Sequence, residues 1–160
     1  MALLEIKVNG RGYRLEVDSA ASLLFVLREQ MFITGPKAGC ETGDCGCCNV
    51  IIDGRLRRAC LTNAMTVNGS EVTTVEGVGG KGDLHPVQKQ FYEKFASQCG
   101  YCTPGMVMAS KALLDANPAP TDREIKEALS GNLCRCTGYI NIIKAVKAAA
   151  RDLSGQGGDR

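Results

Sequence analysis

Residues 40–48 read CETGDCGCC, and this short loop holds four of the chain's nine cysteines together with two glycines. Cys60 follows after eleven further residues, and the other four cysteines are Cys99, Cys102, Cys134 and Cys136. Nine is an odd number, and thiols as near in sequence as Cys134 and Cys136 rarely reach disulfide geometry with each other. At the start, MALLEIKVNG places Glu5 and Lys7 where an export signal needs an apolar core. The expected setting is therefore the reducing cytoplasm, where clustered cysteines serve as metal ligands more often than as bridges.

The spacing Cys40-x4-Cys45-x2-Cys48, with Cys60 beyond, is that of a plant-type [2Fe-2S] site. Several thiolates on one loop must converge on a core whose sulfides also accept hydrogen bonds. Gly39, Gly43 and Gly46 would let the backbone take unusual dihedrals and turn its N–H groups inward. Zinc is the competing reading, but a four-cysteine zinc site ordinarily comes as two short knuckles, and Cys60 alone makes a poor second one. Spacing admits Cys47 or Cys48 as the third ligand; the motif picks Cys48 and leaves Cys47 as a small buried residue.

The second group is Cys99-x2-Cys102 and, 31 residues on, Cys134-x1-Cys136. Cys102-Thr103-Pro104-Gly105 and Cys136-Thr137-Gly138-Tyr139 echo each other, each placing a cysteine and a threonine before an apolar helix. Thr103 and Thr137 suit N-cap positions and Pro104 the first helical position. Two helix N-termini would then point free N–H groups and positive dipole ends at one site, which suits an anionic thiolate cluster. Zinc could use the same four ligands.

Around these loops the chain changes texture once. Leu4, Ile6 and Val8 alternate with charged residues, Asn9-Gly10-Arg11-Gly12 is turn chemistry, and Tyr13, Leu15 and Val17 alternate again: a β-hairpin. SLLFVLREQM, residues 22–31, has helical spacing after a Ser22 cap. Residues 49–53 and 56–61 flank Asp53-Gly54 as a second hairpin, and 71–75 supplies one more strand. EGVGGKGDL, residues 76–84, carries four glycines and reads as a linker. Beyond it the periodicity is helical: Val87, Phe91 and Phe95; Met106, Val107, Leu113 and Leu114; Thr121-Asp122-Arg123-Glu124 as a capping box before Ile125 and Leu129; then Tyr139, Ile142, Ile143, Val146 and Ala150. The expected division is 1–76, a linker 77–84, a helical domain 85–153 and a disordered tail 154–160. Halves of this size have marginal apolar cores and commonly depend on bound metal.

Composition excludes several classes. Nineteen Lys and Arg against seventeen Asp and Glu, with eight Phe and Tyr and no Trp, gives neither the basic footprint nor the stacking residues of a nucleic-acid binder. No apolar run approaches membrane-spanning length. With one histidine, His85, there is no histidine-rich metal site; it reads as a surface or capping side chain. Arg55, Arg57 and Arg58 read as a solvated hairpin face, with docking on a partner as the sharper alternative. The 77–82 glycines lack the strand and helix context of a phosphate loop, and Met106 and Met108 read as core filler.

GCETGDCGCCNV with ACLT, QCGYCTPGMVMAS and GNLCRCTGYINI closely resemble the iron–sulfur subunit of the molybdenum hydroxylases, the xanthine dehydrogenase, aldehyde oxidoreductase and carbon monoxide dehydrogenase family. The likeness runs from about residue 3 to 150. It implies an α+β chain: an N-terminal β-grasp, ferredoxin-like [2Fe-2S] domain, then an all-α four-helix-bundle [2Fe-2S] domain. It implies that Cys40, Cys45, Cys48 and Cys60 hold an FAD-side cluster, and Cys99, Cys102, Cys134 and Cys136 a molybdenum-side one. Gln98 matches a glutamine that contacts the pterin, and Cys136 lies near it in relatives. A departure is Cys47, where family members usually carry a small residue such as Ala. The implied partners are a large subunit with a molybdopterin-type cofactor and a medium subunit with FAD, in a dimer of heterotrimers. Animal relatives fuse these parts, so a 160-residue chain resembles the separate small subunit of a bacterial-type enzyme. Substrate choice, among purines, aldehydes, N-heteroaromatics, carbon monoxide or an aryl-CoA, would belong to the large subunit.

Overall fold

The computed structural model describes residues 1–80 and 82–155. Strands β1 (Ala2–Val8) and β2 (Arg11–Val17) pair antiparallel, with Val8 opposite Arg11. The connection is therefore Asn9-Gly10 alone, two residues shorter than its turn-forming sequence suggests. Both residues have positive φ (50° and 80°), the twist that a two-residue hairpin favours. Strands β3 (Asn49–Ile52) and β4 (Arg55–Arg58) repeat the device at Asp53-Gly54, with φ of 47° and 78°. The expected arm to residue 61 stops at Arg58, where the Leu61 N–H turns back to the Arg58 carbonyl. Strand β5 (Glu71–Thr73) completes a mixed sheet in the order β2-β1-β5-β3-β4, parallel only between β1 and β5.

Ser22 caps helix α1 (Leu23–Phe25) by accepting the Phe25 N–H at 3.2 Å, and α1 widens into a π-helical turn over Val26–Gln30. Leu23, Leu24 and Leu27 bury against Leu4, Ile6, Val8, Val50 and Val72 in a first core.

The second half supplies helices α2 (Pro86–Glu93), α3 (Thr103–Ala116), α4 (Asp122–Leu129) and α5 (Ile140–Leu153). Val87, Phe91, Met106, Ile125, Ile142 and Val146 are buried in its core. Capping boxes start α2 at His85 and Gln88, and α4 at Thr121 and Glu124. Phe95 does not join the stripe of Val87 and Phe91. The chain turns left-handed there (φ 52°), the Ala96 N–H reaches the Phe91 carbonyl, and this helix-end turn swings Phe95 out to 78% exposure while Ala96 takes the buried place.

Helix α3 lies on the sheet. All four residues of β3 are buried, because Val50 and Ile52 face the first core while Ile51, with Leu56 and Val75 packed beside it, joins the second. The segment expected as a linker is anchored at its start. Glu76 accepts the Gly35 N–H at 2.6 Å and the Thr74 hydroxyl at 2.5 Å, and Val78 is buried in the second core. Lys81 lies outside the described residues, as do residues 156–160 of the tail expected to be disordered; Ser154 and Gly155 close α5. Among the described residues no helix is long and apolar enough to cross a membrane.

His85 carries a pH dependence. Its Nδ1 accepts the Val87 N–H at 3.2 Å, and burial, then the Lys111 ammonium, lowers its pKa below the ordinary 6.5. The folded chain thus favours neutral imidazole, so its contribution is complete above pH 6.5 and is lost as pH falls through the lowered folded value. Thermal melts between pH 7.5 and 5 should show this decline. His85→Ala should cost about 1 kcal/mol at neutral pH and flatten that part of the profile.

Candidate metal centres

The first cysteine group sits between α1 and β3, with Cys60 just past β4. The β3–β4 hairpin brings Cys60 back: the Ala59 N–H donates to the Cys48 carbonyl at 3.2 Å, and the Cys48 and Cys60 thiols are in contact. Cys40 and Cys45 also touch, and the Thr42 and Cys45 N–H groups each donate to Cys40 Sγ at 3.4 Å. Gly43 and Gly46 take positive φ (88° and 71°), whereas Gly39 serves by its small size: a Cβ there would lie 2.7 Å from Cys45 Sγ. The Cys40 thiol is held down to about 6, first by the Thr42 hydroxyl, for whose single proton Asp44 Oδ2 at 2.6 Å is a competing acceptor, and then by the two N–H groups. Burial pushes Cys60 up to about 11. Cys47 is buried beside Cys45, donates to its carbonyl at 3.9 Å, and is pushed up to about 12 by burial.

The second group gathers at one end of the helices. Cys99 and Cys136 are exposed and in contact, and Cys102 and Cys134 are half-buried and in contact. Gln98 is exposed immediately before Cys99. The expected caps are displaced. Cys102 itself is the N-cap of α3, making Thr103 the first helical residue, and α5 begins only at Ile140 after Tyr139 in the left-handed region (φ 67°). Thr137 is therefore not the cap of α5: its hydroxyl accepts the Tyr139 N–H at 3.2 Å and lies 3.1 Å from Cys134 Sγ, to which its own N–H donates at 3.4 Å. The Tyr139 hydroxyl explains the shift, because it accepts the Cys134 N–H at 2.9 Å and holds residues 134–139 as a loop. Burial opposes ionisation of Cys134, but Thr137 and the Cys136 N–H outweigh it and lower the pKa. Backbone donation at Tyr101 lowers Cys99, burial raises Cys102 to about 12, and Cys99 raises Cys136.

In the first group Cys45 touches both Cys40 and Cys47 while Cys48 touches Cys60; in the second Cys99 touches Cys136 and Cys102 touches Cys134. Among the described residues no three His, Cys, Asp or Glu side chains converge on a point where one ion would sit. A single zinc needs four sulfurs around one centre, whereas a two-iron core takes two thiolates at each iron. Four thiols in each group are the donor set a two-iron core needs, and ligation would drive off the protons that burial retains on Cys60 and Cys102.

The two groups meet at a close junction. The Leu133 N–H donates to the Cys45 carbonyl at 2.9 Å. Asn49 and Asn132 are buried and bonded to each other at 3.3 Å, and the Asn132 amide also donates to the Gly46 carbonyl at 3.3 Å. Arg58 turns into this junction, which corrects its reading as part of a solvated face; Arg55 and Arg57 do stay exposed. It donates to the carbonyls of Gly43 and Gly131 and to Asn49 Oδ1. Periodicity hides these three residues, because each looks like ordinary hairpin or loop polarity. The one available signal is that Asn132 stands two residues before Cys134.

Residues 6–72 match the family described as "2Fe-2S iron-sulfur cluster binding domain", and residues 74–147 the family described as "[2Fe-2S] binding domain". The chain is 44% identical over 155 residues to the nicotine 6-hydroxylase small subunit of Paenarthrobacter nicotinovorans, covering 97% of this chain and 93% of that one. Quinoline 2-oxidoreductase from Pseudomonas putida 86 superposes with a TM-score of 0.92 at 40% identity, covering 99% and 98% of the two chains. The aldehyde oxidoreductase from Desulfovibrio gigas superposes with a TM-score of 0.93 at 43% identity; 98% of this chain is covered but only 18% of that longer one.

At the junction a Cβ on Gly105 would collide with the Gly46 carbonyl oxygen and lie 3.0 Å from Cys47 Cα. Gly105→Ala should therefore destabilise the protein by about 1–3 kcal/mol or more and reduce its bound iron. Gly12→Ala, where the added methyl meets nothing within 4 Å, should leave iron content unchanged. Thermal melts and iron analysis of both variants check this.

Proposed function

The chain belongs to the small, iron–sulfur subunits of the molybdenum hydroxylase family, and from that membership we propose that it relays electrons from a molybdenum centre on a large partner subunit to FAD on a medium one. It makes and breaks no substrate bonds itself. When bound, a [2Fe-2S] core in each half supplies a site that gains and loses one electron. This chain's residues hold that core, aim N–H groups at its sulfur ligands and fix one site against the other. The observation that carries the reading is that the chain gathers one cysteine group in each of the two matched regions, Cys40, Cys45, Cys48 and Cys60 in the first and Cys99, Cys102, Cys134 and Cys136 in the second.

In this reading Cys40, Cys45, Cys48 and Cys60 ligate the FAD-side core, and Cys99, Cys102, Cys134 and Cys136 the molybdenum-side core. The backbone donation to Cys40 and Cys134 supports those positions, since N–H groups aimed at sulfur stabilise its anionic form. Gln98 and Cys136, both exposed beside the second quartet, would face the molybdopterin of the large subunit. Residues 1–76 form the ferredoxin-like β-grasp unit and 85–153 the four-helix unit, joined through 77–84. A cytoplasmic dimer of heterotrimers is the assembly this reading expects.

Low-temperature EPR of the dithionite-reduced protein, with iron and acid-labile sulfide counted on the same sample, tests the reading. Two distinguishable rhombic signals and about four irons per chain are expected; zinc in place of iron, with no signal, would overturn it. In the assembled enzyme Cys102→Ser should abolish one signal and stop flavin reduction by substrate. Gln98→Ala should keep both signals but slow turnover or lower pterin occupancy, and an unchanged rate and occupancy would remove that assignment.

A further inference from the structure

Arg58 stands at the end of β4 between the two cysteine groups, and its guanidinium has three separate anchorages. Nε donates to the Gly43 carbonyl, within the loop between Cys40 and Cys45. Nη1 donates to Asn49 Oδ1 at 3.2 Å, and Nη2 to the Gly131 carbonyl at 2.8 Å, three residues before Cys134. Asn49 continues the chain of bonds to Asn132 at 3.3 Å and to the Gly105 carbonyl at 3.5 Å, three residues after Cys102. Asn132 returns it to the Gly46 carbonyl. Both asparagines are buried, so losing a partner would strand polar groups away from water.

Inside this frame lies the Leu133 N–H to Cys45 carbonyl bond of 2.9 Å. Cys45 and Cys134 belong to different quartets, and Leu133 is bonded covalently to Cys134. A single hydrogen bond therefore completes a continuous bonded route from one quartet to the other. We infer that Arg58, with Asn49 and Asn132, is the positioning device that holds this route closed and so governs electron passage between the two sites. The inference rests on the two-cluster reading above. Each passage oxidises the second site by one electron and reduces the first by one, with no bond made or broken and the reductant supplied by the molybdenum partner or by dithionite.

Charge is not the basis of the role. Arg58 works as a planar fork that spans three acceptors, which a lysine ammonium on a flexible stem does not reproduce. Arg57 beside it is equally charged, exposed and outside the frame, and serves as the control.

The test uses the assembled, iron-loaded enzyme with Arg58→Gln, Arg58→Lys, Asn132→Ala and Arg57→Gln. Three quantities are read: the two individual EPR signals, the magnetic splitting between the two centres when both are reduced, and the rate at which an electron delivered to one appears in the other. Arg58→Gln, Arg58→Lys and Asn132→Ala should each keep both signals with their own g values, lose the splitting and slow the transfer. Arg57→Gln should match the parent protein. Unchanged splitting and rate in Arg58→Gln and Asn132→Ala would overturn the inference, and so would full restoration by Arg58→Lys, which would assign the effect to charge. If Arg58→Gln fails to hold iron, the uncharged Asn132→Ala decides. A parent enzyme with fewer than two signals would instead be a failure of the two-cluster reading.

Discussion

Two cysteine loops from opposite halves of the chain come close enough for the amide of Leu133 to bond the carbonyl of Cys45, and most of the architecture serves that approach. Beside that bond, two glycines let segments pass where an added side chain would collide. At Gly46 a Cβ would lie 2.5 Å from the Gly131 carbonyl oxygen and 2.7 Å from the Asn132 amide nitrogen, and Gly105 faces the Gly46 carbonyl from the helix side. Burying so much polar backbone is costly unless every group finds a partner. The Arg58 fork and the two buried asparagines provide those partners.

The sulfur environment follows a similar division of labour. Cys40 and Cys134 receive N–H groups from neighbours two to five residues along the chain, so their local loops alone favour the thiolate. Cys60 and Cys102 lie under packed structure, where burial retains the proton. On the proposed ligation, bound iron would reconcile the two kinds of site and couple loading to folding, as expected of halves whose apolar cores are small.

Much of this was readable from the sequence where the cause is local. The Asn9-Gly10 and Asp53-Gly54 turns, the Ser22 cap, the Thr121–Glu124 box and the cysteine spacings are decided by residues within a few positions of each other. His85 as a capping side chain belongs to the same class. What escaped depends on distant contacts. Thr137 looks like a cap, but the Tyr139 hydroxyl claims the Cys134 amide and delays α5 to Ile140. Phe95 fits the helical stripe until the left-handed turn ejects it. Arg58 reads as one of three surface arginines, because nothing near it in sequence reveals that Gly131, 73 residues on, offers it a carbonyl.

Strand β3 has no solvent side, since Ile51 packs under α3 while Val50 and Ile52 pack into the first core. Such a strand makes the two halves answerable to one another in heredity as well as in folding. A substitution at residue 51 is judged by the helices, and one at residue 105 by the cysteine loop. An exchange of the front half for that of a relative would inherit one face of a fit whose other face stayed behind. The unit that can be traded intact between related enzymes is therefore the whole chain from β1 to α5, and not either of its halves.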